Sequence, residues 1–193
     1  MDSVTPVSHT VVIYGIGGVG INAVQGAAIA GATNVIAVDP LPNKREAAEQ
    51  FGATHSAPDA AQAQQLVTEL TRGVGADQAL VTVGIVTQDV IDAAFAAIRK
   101  HGTVIVTGLA GPGKKNIQLS SFELTLFQKR LEGALFGGGN PFDDIPLMLD
   151  LYRAGRLKLD ELITTRYRLD EVNQGYRDLL DGRNIRGLLV HDH

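Results

Sequence analysis

The sequence predicts an α/β fold: a doubly wound parallel sheet of about six strands, followed by a C-terminal helix-strand tail. Three observations predict it. Short β-branched apolar runs alternate with stretches whose apolar residues recur at helical spacing, a rhythm that folds as right-handed crossovers onto one parallel sheet. The first strand passes straight into its helix through a glycine-rich turn, Gly15-Ile16-Gly17-Gly18-Val19-Gly20. After Pro141 the rhythm changes, which marks off the tail.

Residues 1–9 form a polar lead-in containing Pro6. Residues 10–14 are the first strand, about 19–30 a helix closed by Gly31, and 34–38 the second strand. A helix over 43–51 stops at Gly52, and 53–56 fits a short third strand. Asp59 is placed to cap a helix reaching about Arg72, which Gly73-Val74-Gly75 breaks. The run 79–83 is apolar enough for a strand buried on both faces, and Val90, Ile91, Ala94, Phe95 and Ile98 give a helical stripe. Residues 103–106 are the fifth strand, 108–113 a glycine loop, 119–128 contain a short helix, and 130–136 are the sixth strand. Beyond them come a helix over about 143–154, a loop and strand over 157–169, a helix over 170–180 and a strand over 185–190. No internal repeat or low-complexity tract is present. The domain reading is therefore a lead-in at 1–9, a nucleotide-binding domain at 10–136 and a C-terminal segment at 137–193.

Strand, glycine turn and helix in that order suit a dinucleotide. Gly15 permits the tight turn, Gly17 lets the backbone approach a pyrophosphate, and Gly20 lets helix and strand pack closely. The helix start offers N–H groups and a positive dipole end to phosphate. The second strand ends at Asp39, 19 residues beyond Gly20, where an acid can accept from both hydroxyls of an adenosine ribose. Its charge would repel a 2′-phosphate, which favours NAD over NADP. The same glycine pattern also occurs as plain loop chemistry, and Asp39 also fits an ordinary acid opening the turn 39–42.

Composition excludes several classes. The net charge of −4, with no basic stripe bearing interleaved aromatics, argues against a nucleic-acid partner. There are no cysteines, so disulfides and thiolate chemistry are absent. No apolar run reaches membrane-spanning length and no signal peptide is evident, which makes cytoplasmic the default location. His9, His55, His101, His191 and His193 are scattered singly, so no metal cluster is expected.

Taken together, the chain resembles the cofactor-binding half of a medium-chain, zinc-type alcohol dehydrogenase, a Rossmann-fold domain. The resemblance covers nearly all of 10–190. It rests on the glycine turn, Asp39 with Asn43-Lys44, Phe51-Gly52-Ala53-Thr54, Gly133-Ala134-Leu135-Phe136-Gly137-Gly138, and the ending Gly182-Arg183-Asn184-Ile185-Arg186. Within the family it is most similar to actinobacterial-style enzymes, including branches acting on formaldehyde adducts or holding their nicotinamide tightly. The resemblance implies that Gly18 and Val19 offer backbone N–H groups to the pyrophosphate, with the Val19 side chain against the nicotinamide. Lys44 would reach the ribose beside Asp39; by residue type alone it is equally a solvated lysine. Thr82 and Val83 would line the adenosine side. Thr107, Ala134 and Phe136 would hold the carboxamide through backbone atoms, and Arg186 would pair with the pyrophosphate.

The resemblance also implies NAD as cofactor, with zinc only in the family's other half, which carries cysteine and histidine ligands and would precede Met1. Residues 137–193 would pack on that half. The function implied is the NAD(H)-binding portion of an alcohol dehydrogenase passing hydride between an alcohol and nicotinamide, with no catalytic residue in this chain. The alternative is a stand-alone nucleotide-binding or sensing module; a methyltransferase fits only the glycine turn and the acid. A self-sufficient short-chain reductase fails, because Tyr14, Tyr152, Tyr167 and Tyr176 are followed four residues on by Gly18, Arg156, Glu171 and Leu180, none of them lysine. Strand 130–136, as the last of the sheet, leaves an apolar edge on which a homodimer is expected.

Overall fold

The computed structural model describes residues 9–109, 113 and 117–191. Residues 1–8 of the lead-in, 110–112 of the glycine loop and His193 lie outside them. The chain divides into two compact units, Met1–Gly138 and Gly139–His193.

The first unit holds strands β1 (Thr10–Tyr14), β2 (Asn34–Val38), β3 (His55–Ala57), β4 (Ala76–Val81), β5 (Ile98–Val106) and β6 (Arg130–Gly133). They form one sheet in the order β3-β2-β1-β4-β5-β6, every adjacent pair parallel. Its helices are α1 (Gly18–Ile29), α2 (Pro42–Gln50), α3 (Ala60–Leu70), α4 (Gln88–Ala97) and the short α5 (Ser121–Leu126). All five residues of β1 are buried, as a strand covered on both faces requires. Because alternate residues point to opposite faces, Val12, Tyr14, Ile36 and Val38 join Val67, Ile91, Ala94 and Phe95 of α3 and α4 in one core. The intervening Val11, Ile13, Val35 and Ala37 are also buried, as are Ile21 and Val24 of α1.

The caps follow their sequence signals. Asp59 accepts from the Gln62 N–H at 2.9 Å. At the end of α1 the Gly31 N–H reaches the Ala28 carbonyl and the Ala32 N–H reaches that of Ala27, both at 3.0 Å, the paired bonds of a Schellman stop. α3 stops the same way with Arg72, rather than Gly73, in the position after the cap, at φ 54°.

Several boundaries differ from the sequence reading. β5 begins at Ile98 rather than residue 103, so Ile98, expected on the helical stripe, lies in the strand. β4 begins at Ala76 because its polar Asp77 is satisfied within the fold, accepting from the Thr10 N–H at 2.8 Å and from Arg99 Nε at 2.7 Å. It ends at Val81, so Thr82 and Val83 lie beyond the strand. β6 ends at Gly133 rather than residue 136: Gly137 and Gly138 take positive φ, and a 3-10 turn over Phe136–Gly138 closes with the Gly138 N–H on the Leu135 carbonyl at 2.9 Å.

The second unit opens with α6 (Pro141–Arg153), which starts two residues earlier than expected. Asn140 caps it and Pro141 occupies its first turn. The strands β7 (Ile163–Arg168) and β8 (Arg186–Val190), joined through α7 (Val172–Leu180), pair in parallel as a separate two-stranded sheet. Strand, helix and strand therefore follow in the tail in the expected order, and their parallel pairing makes them a unit of their own. The Tyr167 hydroxyl donates to Asp178 on α7 at 2.8 Å and accepts from Asn184 Nδ2 at 2.9 Å.

Candidate functional site

β1 and β4 lie side by side, yet β1 leads towards β2 and β4 towards β5. At such a reversal the connections leaving the strand ends diverge, and a crevice opens at the carboxyl edge. A cleft of about 560 Å³ lies there, with Gly15, Asp39, Pro40, Thr82, Val83 and Asp89 among its walls.

The glycine turn forms its inner end. Gly15 has φ +92°, and a Cβ there would sit 2.9 Å from a Val83 methyl. Side chains are disfavoured in that backbone region and the space is already filled. A Cβ on Gly20 would run into the Gly15 carbonyl oxygen and come within 2.8 Å of Thr82 Oγ1. Gly17 is the N-cap of α1 and supplies no side-chain cap, and the first turn carries no acid. The helical ladder begins with the Ile21 N–H on the Gly17 carbonyl at 2.9 Å. The N–H groups of Gly18, Val19 and Gly20 precede it, so the positive end of α1 is left uncompensated. Val19 is 59% exposed, an apolar side chain at the head of that helix.

Asp39 is tied to the same turn. One carboxylate oxygen accepts from the Ile16 N–H at 2.8 Å, the other from the Leu41 N–H at 2.9 Å. Asp39 is thus both the acid that opens its own turn and a wall of the cleft. Each oxygen retains a lone pair for a further donor. Lys44 is not a solvated lysine: it is 6% exposed. Burial pushes its pKa down while the Asp39 carboxylate opposes the shift.

The remaining expected residues divide. The Thr82 hydroxyl is 2.5 Å from the Gly15 carbonyl oxygen and 3.0 Å from that of Tyr14. It lines the cleft while clasping the turn. The N–H groups of Thr107 and Ala134 are spent on the Val81 and Val106 carbonyls, at 3.0 and 2.9 Å. Only their carbonyl oxygens can serve as backbone contacts. Phe136 opens the 3-10 turn after β6. Arg186 heads β8 in the second unit and is exposed.

Sequence reasoning named Thr82 for the cleft but missed its clasp, and it missed two further residues. The clasp by Thr82 was invisible because its partners are backbone carbonyls of a distant segment. Arg45 donates to the Asp39 and Pro40 carbonyls at 2.7 and 3.0 Å; its place beside Lys44 was the one available hint. Asp89 was passed over as a polar residue flanking an apolar stripe. Among the described residues no three His, Asp or Glu side chains gather as potential metal ligands. Among the same residues no helix is long and apolar enough to cross a membrane.

A family profile described as zinc-binding dehydrogenase matches residues 18–154. The NDMA-dependent alcohol dehydrogenase of Amycolatopsis methanolica is 58% identical over 182 residues, covering 94% of this chain and 49% of that protein. Among solved structures, benzyl alcohol dehydrogenase from Acinetobacter calcoaceticus superposes with TM-score 0.85 at 30% identity, covering 97% of this chain and 50% of that one. A zinc-binding dehydrogenase from Sinorhizobium meliloti, bound to NADP, superposes with TM-score 0.78 at 26% identity over 95% of this chain and 53% of its own. The chain spans about half the length of the curated relatives it matches.

Proposed function

The chain belongs to the zinc-binding dehydrogenase family and corresponds to its cofactor-binding half; from that premise we propose that it is the NAD(H)-binding portion of an NAD-dependent alcohol dehydrogenase. The observation that carries this reading is the uncapped N-terminus of α1 joined to Asp39 through the Ile16 N–H. One end suits a pyrophosphate and the other a ribose diol, with a backbone too close-packed at Gly20 to admit a side chain.

Each residue then has a stated task. The Gly17, Gly18 and Val19 backbone holds the pyrophosphate. Asp39 accepts from the ribose hydroxyls with Lys44 beside it, and Val83 flanks the adenosine. The Thr107 and Ala134 carbonyls, with the Phe136 backbone, orient the carboxamide, and the Val19 side chain covers one face of the nicotinamide. When bound, the nicotinamide supplies the hydride acceptor or donor. Zinc and most substrate contacts belong to the portion of the related enzymes' length that this chain does not span, and residues 137–193 pack against that portion.

The preference for NAD over NADP rests on the Asp39 charge. Calorimetric titration with NADH and NADPH tests the assignment: tighter NADH binding is expected, and equal or tighter NADPH binding overturns it. A homodimer through the β6 edge belongs to the same proposal. β6 ends the sheet, and Leu135 just beyond it is 76% exposed. Sedimentation should show a dimer that Leu135→Lys disrupts; a monomer at tens of micromolar, roughly where a standard interface holds, overturns it.

A further inference from the structure

We propose that the Asp89 carboxylate makes this cleft selective for a purine carrying a 6-amino group, by accepting a hydrogen bond from adenine N6. This rests on the dinucleotide reading of the cleft. Beyond Asp39 the walls come from two helix starts: Pro58, Asp59 and Ala60 before and at the head of α3, and Thr87, Asp89 and Val90 at that of α4. Pro40 and Val83 also line the cleft, apolar surfaces on which a flat base can pack.

Each of the two helix starts brings a carboxylate to the cleft, Asp59 and Asp89, and their circumstances differ. Asp59 already shares both oxygens with its helix: Oδ1 accepts from the Gln62 N–H at 2.9 Å and Oδ2 from Gln62 Nε2 at 3.2 Å, which leaves it part of its accepting capacity. Asp89 makes no such bond; among the described residues no donor engages its carboxylate, although it lies in the first turn of α4. An ionised carboxylate only accepts. It therefore complements the exocyclic amine of adenine and opposes the carbonyl oxygen that hypoxanthine and guanine carry there, the same logic by which Asp accepts from amino groups on base edges. Its place near the N-terminus of α4 also stabilises that helix. A purely helical role would leave base preference untouched.

The test compares NADH with its hypoxanthine analogue by calorimetry on the 193-residue chain, as wild type and as Asp89→Asn. The wild type should prefer NADH by on the order of tenfold. Asp89→Asn, whose amide can donate as well as accept, should bring the two affinities within about twofold. Equal binding of both ligands by the wild type overturns the inference while leaving the dinucleotide reading intact. Binding of neither ligand overturns both. Because the wild-type comparison needs no variant, misfolding of Asp89→Asn does not rescue the idea. Loss of preference in Asp59→Asn, with Asp89→Asn unchanged, also overturns it.

Discussion

The Thr82 hydroxyl sits 2.5 Å from the carbonyl oxygen of Gly15, so the first residue past β4 holds the turn that follows β1. The two strands stay paired to their ends, Tyr14 opposite Val81, while the connections beyond them lead apart, and this contact ties those connections together where the cleft begins. A Cβ on Gly20 would strike the same two groups, so turn, clasp and helix start form one packed unit.

Thr82→Val keeps the shape and removes the donor. The Gly15 and Tyr14 carbonyls would each lose a side-chain partner, and unfolding stability should fall by about 1 kcal/mol. NADH affinity should fall with it, because the turn is no longer held against β4. Denaturant unfolding beside calorimetric titration checks both. Unchanged stability and affinity would show the clasp to be incidental.

Asp39→Gly should weaken NADH binding by on the order of 1–3 kcal/mol and narrow the gap to NADPH, since the carboxylate charge that would repel a 2′-phosphate is then gone. The structure adds a cost that spacing alone did not show: the Ile16 and Leu41 N–H groups lose their acceptor. Asp39→Asn keeps an acceptor for one of them and separates the two effects. It should retain more stability than Asp39→Gly while relaxing cofactor preference, as paired titrations and melting curves will read.

The parts of this molecule that announced themselves in the sequence are those governed by local rules. β1 and β2 matched their predicted ends, since β-branched runs buried on both faces leave little freedom. The Asp59 cap and the Gly31 stop followed from residue type and position. What stayed hidden depended on distant partners. Asp77 inside β4 looked like a loop residue because nothing local signals Arg99 and the Thr10 N–H, which satisfy it. Lys44 looked solvated because burial of its side chain is a tertiary fact. The early end of β6 was obscured by Leu135 and Phe136, whose apolar character prolongs a strand pattern that the two positive-φ glycines after them break.

Two glycines of α1 should respond oppositely to alanine. Gly20→Ala meets the Gly15 carbonyl and Thr82 and should cost about 2–4 kcal/mol or prevent folding. Gly26→Ala meets nothing within 4 Å, on an exposed face of the same helix. It should stabilise by roughly 0.5–1 kcal/mol, because alanine loses less conformational freedom in a helix. Thermal unfolding of the two variants side by side is the measurement, and a shared sign would refute the close-packing account of Gly20.

Tyr14 gives a pH-dependent prediction. Its ring is 3% exposed at the end of β1, with the hydroxyl directed to the Ala93 carbonyl at 3.4 Å, and burial pushes its pKa up from 10.0 to about 12. The native state therefore holds the phenolic proton more tightly than the unfolded chain does. This contribution is fully present below pH 10 and is lost as pH rises from 10 towards about 12. A rise of that size corresponds to roughly 2–3 kcal/mol. Lys44 acts in the opposite sense: its lowered pKa means that stability gains as pH approaches 10.5 from below. Subtracting Tyr14→Phe from the wild type cancels the Lys44 contribution and isolates that of Tyr14. The stability difference between the two proteins should be flat to about pH 10 and then shift in favour of Tyr14→Phe. Ultraviolet titration of the native protein should show a tyrosine ionising towards about pH 12, a step the variant lacks. A difference that stays constant up to about pH 12 would mean that the Tyr14 phenol ionises freely in the fold.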